Sequence, residues 1–283
     1  MEKKSCGNIF GPRASLASRR KGKGRDGGLT RRQSLFLRQA LMFVCGFLTC
    51  YLFTGGADIF ERWRYVYTLP QAQVIGIDIS HHQGEVDWDR LCFSMDAMRR
   101  TDVSGNNFRR VDFVIAKATE GASHTDRKYA SYKSGCRRKG IPFGAYHYYK
   151  PSAAPDEQAA SFVRTAALSR GDMVPVLDVE ECGRKTAAQL RADVLEWLDR
   201  VERECGVRPM VYCNLDYYRK YFDTPAFGRY RFWIAAYRRK TLGVEHLLWQ
   251  QTDRGRMRGI KGRVDIDVFN GDRADFEKTM IIH

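Results

Sequence analysis

The sequence predicts an α/β protein whose strands close into an irregular (β/α) barrel of the TIM type. Eight short β-rich runs recur between residues 74 and 269, helix-like stretches separate the earlier runs, and only about ten residues separate the last three. Alternating strands and helices are typical of parallel sheets, and eight strands suggest closure into a barrel. We therefore expect about five βα units, followed by three strands that are linked by short, hairpin-like connections.

The amino-terminal 38 residues differ sharply in composition from the rest of the chain. They hold eleven Lys/Arg and two acidic residues, a net charge of +9, which leaves +6 of the formal +15 for residues 39–283. A basic stretch that also contains Gly and Ser favours a disordered tail. Because most of the charge sits in this tail, nucleic acid is not expected as a partner.

Residues 39–57 form an uncharged, apolar segment. Its nineteen residues, at the helical rise of about 1.5 Å, would span roughly 28 Å, close to the thickness of a bilayer core. The basic tail predicts that residues 1–38 stay in the cytoplasm and that the chain after Asp58 lies outside. Two outcomes stay open: a single-pass anchor in the cell membrane, or a signal segment that is cut near Gly55-Gly56-Ala57 and releases a secreted domain.

A linker over residues 58–72 precedes the main domain, residues 73–283, which contains the β-rich runs. These runs are apolar on both faces, as expected for strands that are covered on both sides. They cover residues 74–80, 111–118, 141–149, 173–179, 209–213, 231–237, 247–252 and 264–269. Helix-like stretches lie at 127–139, 155–169 and 186–205, and Gly206 is a stop signal for the last of them.

Cysteines in the predicted main domain do not form CxxC pairs. A zinc site is therefore not predicted, and no metal or other cofactor is expected. Free, buried thiols with at most one disulfide are the expected state of these residues.

Polar side chains collect where several of the runs end, which is the end of a parallel barrel that carries chemistry. Asp178 and Glu180 are two positions apart on one run, so both should point to the same face with their Cβ atoms roughly 6.5–7 Å apart. Repulsion between two carboxylates should raise one pKa. A raised pKa suits a general acid that protonates a glycosidic oxygen at neutral pH.

Aromatic side chains accompany these acids along the predicted strands. They are Tyr146, Tyr148, Tyr212, Trp233 and Trp249. Each of them alone could belong to the core, and a single acid at a strand end could be a helix cap or a salt-bridge partner. Their convergence on one end of a barrel favours a site that binds sugar rings.

Motifs in the same order extend over residues 74–272. They are Gly76–Gly84 with Val86-Asp87-Trp88, Phe113–Gly121, Gly144–Tyr148, Val176–Glu180, Trp249-Gln250, Gly259–Asp265 and Phe269–Gly271. Each motif alone is weak, but the series in register resembles glycoside hydrolase family 25, the Chalaropsis-type lysozymes. The resemblance implies an irregular barrel, peptidoglycan glycan strands as the partner, and cleavage of the β-1,4 bond between N-acetylmuramic acid and N-acetylglucosamine.

The resemblance also implies roles for individual residues. By position, Glu180 is the general acid/base, and Asp178 assists it by orienting the 2-acetamido group or as the nucleophile. Asp78 and Asp265 complete an acidic cluster around the bond. The implied substrate contacts are Tyr146, Tyr148, Tyr212, Trp233, Trp249 and Gln250. We expect a monomer.

Three positions depart from the pattern of the family. His82 stands where many relatives have Trp, Ala236-Tyr237 stands where Gln-Tyr is common, and Asp267 stands where Asn is frequent. Two other functions remain as alternatives: a chitinase-like glycosidase, and a wall-binding module that does not cut.

Overall fold

The computed structural model describes residues 42, 73–94, 108–237, 239 and 241–283. The chain divides into two compact units, Met1–Gly56 and Ala57–His283. The predicted basic tail, the linker and the apolar segment lie outside the described residues, apart from Met42. Within the described part of the chain, no helix has the length and apolar character that a membrane crossing requires.

The second unit is built around β-strands, eight of which follow the predicted runs to within a few residues. They are β1 (Ile75–Ile79), β2 (Phe93–Ser94), β3 (Phe108–Arg109), β4 (Phe113–Glu120), β5 (His124–Thr125), β6 (Phe143–Tyr148), β7 (Val176–Asp178), β8 (Met210–Asn214), β9 (Arg231–Ala235), β10 (Leu248–Gly255) and β11 (Val264–Phe269). All but β2, β3 and β5 form a closed barrel in which β1 pairs with both β4 and β11. The predicted eight-stranded barrel is confirmed.

Strand direction corrects one part of the prediction. The strands from β4 to β10 are parallel to their neighbours in the barrel, and only β11 runs antiparallel, to both β10 and β1. The expected hairpin between β9 and β10 is therefore wrong, whereas β10 and β11 do pair as antiparallel neighbours. The connection, residues 236–247, is about a dozen residues long, which is enough for a parallel crossover.

Helices follow the middle strands on the outside of the barrel, and one more follows the last strand. They are α1 (Tyr129–Lys139), α2 (Pro155–Ala166), α3 (Ala187–Cys205), α4 (Leu215–Tyr217) and α5 (Arg273–Met280). After β1, the described residues before β4 form a 3-10 turn at His81–Gln83 and the small β2–β3 ladder, so an α-helix is not seen there.

Helix α3 shows why the sequence folds in this way locally. Thr186 and Gln189 form a reciprocal capping box at its start, and Gly206 ends it with φ 70°. A capping box satisfies two backbone donors that the first helical turn leaves free, and glycine adopts a positive φ without steric cost. The predicted apolar stripe is buried from Leu190 to Val201, so this face anchors the helix on the sheet.

Alternate residues of the strands form two apolar layers. On β4, Val114 and Ala116 belong to the layer under the helices, whereas Phe113 and Ile115 belong to the interior of the barrel. Phe276 of α5 packs on Phe113, at the start of β4, and on Phe269, at the end of antiparallel β11. Helix α5 thus closes the end where the parallel strands begin, which leaves the opposite end for a site.

Candidate active site

A cavity of about 300 Å³ lies at the carboxyl end of the parallel strands. It is lined by Asp78, Ser80, His82, Gln83, Lys117, Tyr146, Tyr148, Asp178, Glu180, Tyr212, Trp233, Tyr237, Gln250, Asp253 and Asp265. The structure therefore brings together all four predicted catalytic residues and all predicted substrate contacts except Trp249. Strand register explains the grouping, because Tyr148, Asp178, Tyr212 and Trp233 lie side by side on β6, β7, β8 and β9.

Trp249 does not line the cavity, so the structure places it apart from the other predicted substrate contacts. It packs against the outer apolar layer and against His246, and its Nε1 donates to the Ala236 carbonyl at 2.8 Å. Successive residues on a strand point to opposite faces. Since Gln250 points into the cavity, Trp249 must point away from it.

Asp178 and Glu180 lie at the end of β7, and both reach the cavity. The strand ends at Asp178, so Glu180 belongs to the segment after it and not to the strand itself. Asp178 is buried, and its Oδ1 has no hydrogen-bond partner. Burial, followed by the negative charges of Glu180 and Asp78, raises the pKa of Asp178 well above its usual range.

Glu180 is more accessible than Asp178. Loss of hydration within the cavity still raises the pKa of its carboxyl, and the hydroxyls of Tyr148 and Tyr212 partly offset the rise. The Tyr148 hydroxyl lies 3.4 Å from Glu180 Oε2. A carboxyl that keeps its proton to higher pH and is open to a ligand can act as a proton donor.

Asp78 is held by a chain of buried hydrogen bonds. Gln250 Nε2 donates to Asp78 Oδ2 at 2.8 Å, while Gln250 Oε1 accepts from the hydroxyls of Tyr212 and Tyr237 at 2.9 and 2.8 Å. Burial raises the pKa of Asp78 to about 7, although its hydrogen bond from Gln250 opposes this rise. The position of Asp78 is thus fixed by side chains from β8 and β10 and from the segment after β9.

Asp265 and Asp267 occupy the same face of β11 at two depths. Asp265 pairs in register with Asp78 and lines the cavity. Burial and repulsion from Asp78 raise its pKa to about 9. Asp267 is wholly buried and does not line the cavity. Asp265 and Asp267, which are only two positions apart, therefore have different surroundings.

Two lysine side chains contact the ring of Tyr148, which lines the cavity. The ammonium groups of Lys117 and Lys150 both lie 4.7 Å from the centre of the Tyr148 ring. Each of them also pairs with Glu120, Lys117 at 2.5 Å and Lys150 at 3.4 Å, and Lys150 pairs with Glu181 at 2.7 Å. Contacts of both ammonium groups with the ring orient Tyr148 and therefore its hydroxyl.

Six lining residues were not among the predicted site residues. They are Ser80, His82, Gln83, Lys117, Tyr237 and Asp253. Three of them, Ser80, His82 and Gln83, follow β1 within one of the motifs, so their position after a strand was a usable signal. Ser80 and Gln83 also form a capping box. Asp253 follows irregular pairing between β10 and β11, which sequence spacing does not reveal.

Metal-binding side chains are not grouped in the described part of the chain: no set of three or more His, Cys, Asp or Glu residues could hold an ion there. The described cysteines are free thiols.

Comparison with known proteins defines the class. The model of the glycosyl hydrolases family 25 matches residues 77–260, well over half of the chain. The chain therefore belongs to this family and is a glycoside hydrolase, which confirms the resemblance that the motifs indicated.

Individual relatives agree with this assignment. The chain is 37% identical over 205 residues to the uncharacterized protein YegX of Escherichia coli O157:H7, covering 71% of each chain. It is 27% identical over 197 residues to the autolytic lysozyme of Clostridium acetobutylicum, covering 69% of this chain and 55% of that protein. A solved family 25 glycosyl hydrolase from Bacillus anthracis has the same fold, with a TM-score of 0.62, 21% identity, and coverage of 75% of this chain and 95% of that one.

Proposed function

We propose that the protein is a peptidoglycan hydrolase of the N-acetylmuramidase type, which cleaves the β-1,4 bond between N-acetylmuramic acid and N-acetylglucosamine. The observation that carries the proposal is the cavity in which Glu180, Asp178, Asp78 and Asp265 meet beside Tyr146, Tyr148, Tyr212 and Trp233. Family membership and relatives that are named lysozymes support the same chemistry.

Glu180 is the general acid and, after the bond breaks, the general base. Its raised pKa favours retention of the proton, and its accessibility allows contact with the oxygen of the leaving sugar. The charge of Glu180 raises the pKa of Asp178, so protonation of Glu180 favours ionisation of Asp178.

Asp178 assists from the buried side of the cavity. Its unpartnered Oδ1 is free to accept a hydrogen bond from a ligand. We assign it to the 2-acetamido group of the substrate, where a carboxylate can orient the amide and stabilise positive charge as the group attacks the anomeric carbon. Acetamido assistance is a recognised exception to the scheme with two catalytic carboxylates.

Substitution Glu180→Gln tests the assignment. The amide keeps the size of the side chain but cannot donate a proton to a leaving oxygen, so lysis of purified peptidoglycan should fall by about 100-fold or more. Glu181→Gln is the matched control, because Glu181 is the adjacent residue, pairs with Lys150 and does not line the cavity. Equal lysis by Glu180→Gln and the wild type, with both folded, would sink the assignment.

Product analysis separates this activity from a chitinase-like one. Mass spectrometry of the fragments should show muramic acid at the reducing end. N-acetylglucosamine at that end, or faster cleavage of chitin than of peptidoglycan, would mean that a different bond is the substrate.

The site of action that we propose is outside the cytoplasm, where peptidoglycan lies. The basic tail and the apolar segment at residues 39–57 support either a membrane anchor or a signal segment. Immunoblotting of membrane and soluble fractions distinguishes them, since an anchored chain stays with the membrane at full length and a cleaved one is soluble and shorter.

A further inference from the structure

Asp267 lies beneath the cavity, and the reaction described above does not use it. Its side chain is wholly buried. Oδ1 accepts a hydrogen bond from Trp233 Nε1 at 3.0 Å, but Oδ2, which is also buried, has no partner. An ionised carboxylate there would have one buried oxygen without a hydrogen bond, which costs free energy.

The neighbour of Asp267 is a second carboxyl group. Asp267 pairs in register with Gly76 on β1 and with Gln250 on β10, so it lies between the strand of Asp78 and the residue that donates to Asp78. Asp78 lies two positions from Gly76, the register partner of Asp267, so the two carboxyls share one face of β1 and β11 and interact through their side chains. Two ionised carboxylates can only accept, so this contact becomes a hydrogen bond only if one of them holds a proton.

We propose that Asp267 is a positioning residue of the active site: a neutral carboxylic acid that donates its proton to Asp78 and fixes the Asp78 carboxylate under the cavity. With Gln250 on one side and Asp267 on the other, Asp78 then accepts two hydrogen bonds from buried donors. This role rests on the proposed function, in which Asp78 belongs to the acidic cluster around the cleaved bond.

The surroundings of Asp267 on each packed strand favour its neutral form. Asp78 on β1 and Asp265 on β11 are the charged groups that act on it most strongly, and both are acids. The partner from β9, Trp233, and the neighbour from β10, Gln250, are neutral, and the Tyr237 hydroxyl also faces this region. Burial and the two acids raise the pKa of Asp267 well above its usual range.

Two substitutions test the positioning role. In Asp267→Asn, the amide oxygen can accept from Trp233 and the amide N–H can donate to Asp78, whereas Asp267→Leu removes both bonds. We expect kcat for peptidoglycan lysis to fall about tenfold or more in Asp267→Leu, with little change in KM. The reason is that the Asp78 carboxylate then has one hydrogen-bond donor fewer. Asp267→Asn should recover most of that loss. Equal losses in the two variants would overturn the positioning role.

A stability series tests protonation independently of activity. An acid that is neutral in the folded state and ionised in the unfolded state weakens folding as pH rises above its unfolded pKa, about 4. The Tm of Asp267→Asn relative to the wild type should therefore become more positive between pH 4 and pH 7. Asp126→Asn is the opposite-sign control, because Asp126 accepts from His81 and from backbone N–H groups and has a lowered pKa.

Other outcomes are also decisive. If the Tm of Asp267→Asn relative to the wild type instead becomes more negative as pH rises, as expected for Asp126→Asn, Asp267 is ionised in the folded protein. That result would overturn the proposal. Infrared difference spectra of wild type minus Asp267→Asn at neutral pH should show a protonated carboxyl band, and a carboxylate band instead would overturn it as well. If the wild type does not lyse peptidoglycan, the proposed function fails, while Tm and infrared measurements still decide the protonation of Asp267.

Discussion

Glu180 and Asp178, at the end of β7, differ from Asp78, on β1, in how firmly hydrogen bonds hold them. The hydrogen bond from Tyr148 to Glu180 is long, at 3.4 Å, and Asp178 has an oxygen without a partner. Asp78 instead receives a 2.8 Å bond from Gln250, whose oxygen is held by two tyrosine hydroxyls.

This difference separates two tasks within one cavity. A group that exchanges protons with a substrate must be reachable and must be able to change its charge, so few internal partners are an advantage. A group that supports a fixed charge pattern is better held by oriented donors that do not rearrange during the reaction. Substitutions in the two groups should therefore have different kinetic signatures.

The largest effect is expected from Asp178→Asn. The amide can hydrogen-bond to the acetamido group but carries no negative charge, so it cannot stabilise the charge that develops there. Loss of one electrostatic contribution of this kind costs about 100-fold to 1,000-fold in kcat. Steady-state lysis of purified peptidoglycan measures it, with Asp253→Asn, an exposed acid that lines the same cavity, as a comparison with a smaller expected loss. Comparable losses in the two variants would contradict the special role of Asp178.

A smaller effect is expected from Gln250→Leu in the hydrogen-bonded group. The substitution removes the Gln250 partner of Asp78, Tyr212 and Tyr237. Leaving a buried polar group unpaired costs about 1–3 kcal/mol, so stability should fall by at least this amount and kcat by about tenfold. Gln251→Leu is the matched control on the same strand, since Gln251 does not line the cavity. Denaturation curves and lysis rates check both parts, and an unchanged kcat would show that the network does not orient Asp78.

The fold was predictable because strand and helix patterns are local. Each predicted run matches a barrel strand, and the capped, amphipathic helix α3 begins and ends within a residue or two of its predicted bounds. The direction of β10 was not predictable, because connection length alone does not distinguish a short crossover from a hairpin at about a dozen residues.

The site was predictable where acids lie at or just after a strand end, as for Asp178 and Glu180 at the end of β7. Sequence reasoning grouped Trp249 with the substrate contacts, but two consecutive strand residues, Trp249 and Gln250, cannot both face the cavity. The partners of Asp78 were beyond sequence reasoning, since Gln250 lies 172 positions away in the chain and only barrel closure brings the two together.

The smallest effect is expected from Tyr148→Phe. This variant is also the most specific test of the difference between Glu180, which exchanges a proton, and Asp78, which is held in place. The Tyr148 hydroxyl donates to Glu180 and lowers its pKa, so its removal should raise the pKa of Glu180. A general acid stops working as pH rises through its pKa, and the basic limb of the lysis profile should therefore move to higher pH. Because the bond is long, at 3.4 Å, the rate at the optimum should fall by only about threefold or less.

Tyr149→Phe provides the control for that shift. Tyr149 is the next residue, and its hydroxyl donates to Asp193 at 2.6 Å, in a pair outside the cavity. Its substitution should lower stability and leave the basic limb where it is. Since Tyr148→Phe keeps an aromatic ring in contact with Lys117 and Lys150, a shift in that variant alone reports the hydroxyl. A basic limb that moves to lower pH, or does not move, would mean that Tyr148 does not control the proton of Glu180 and that the proton donor must be sought among the buried acids.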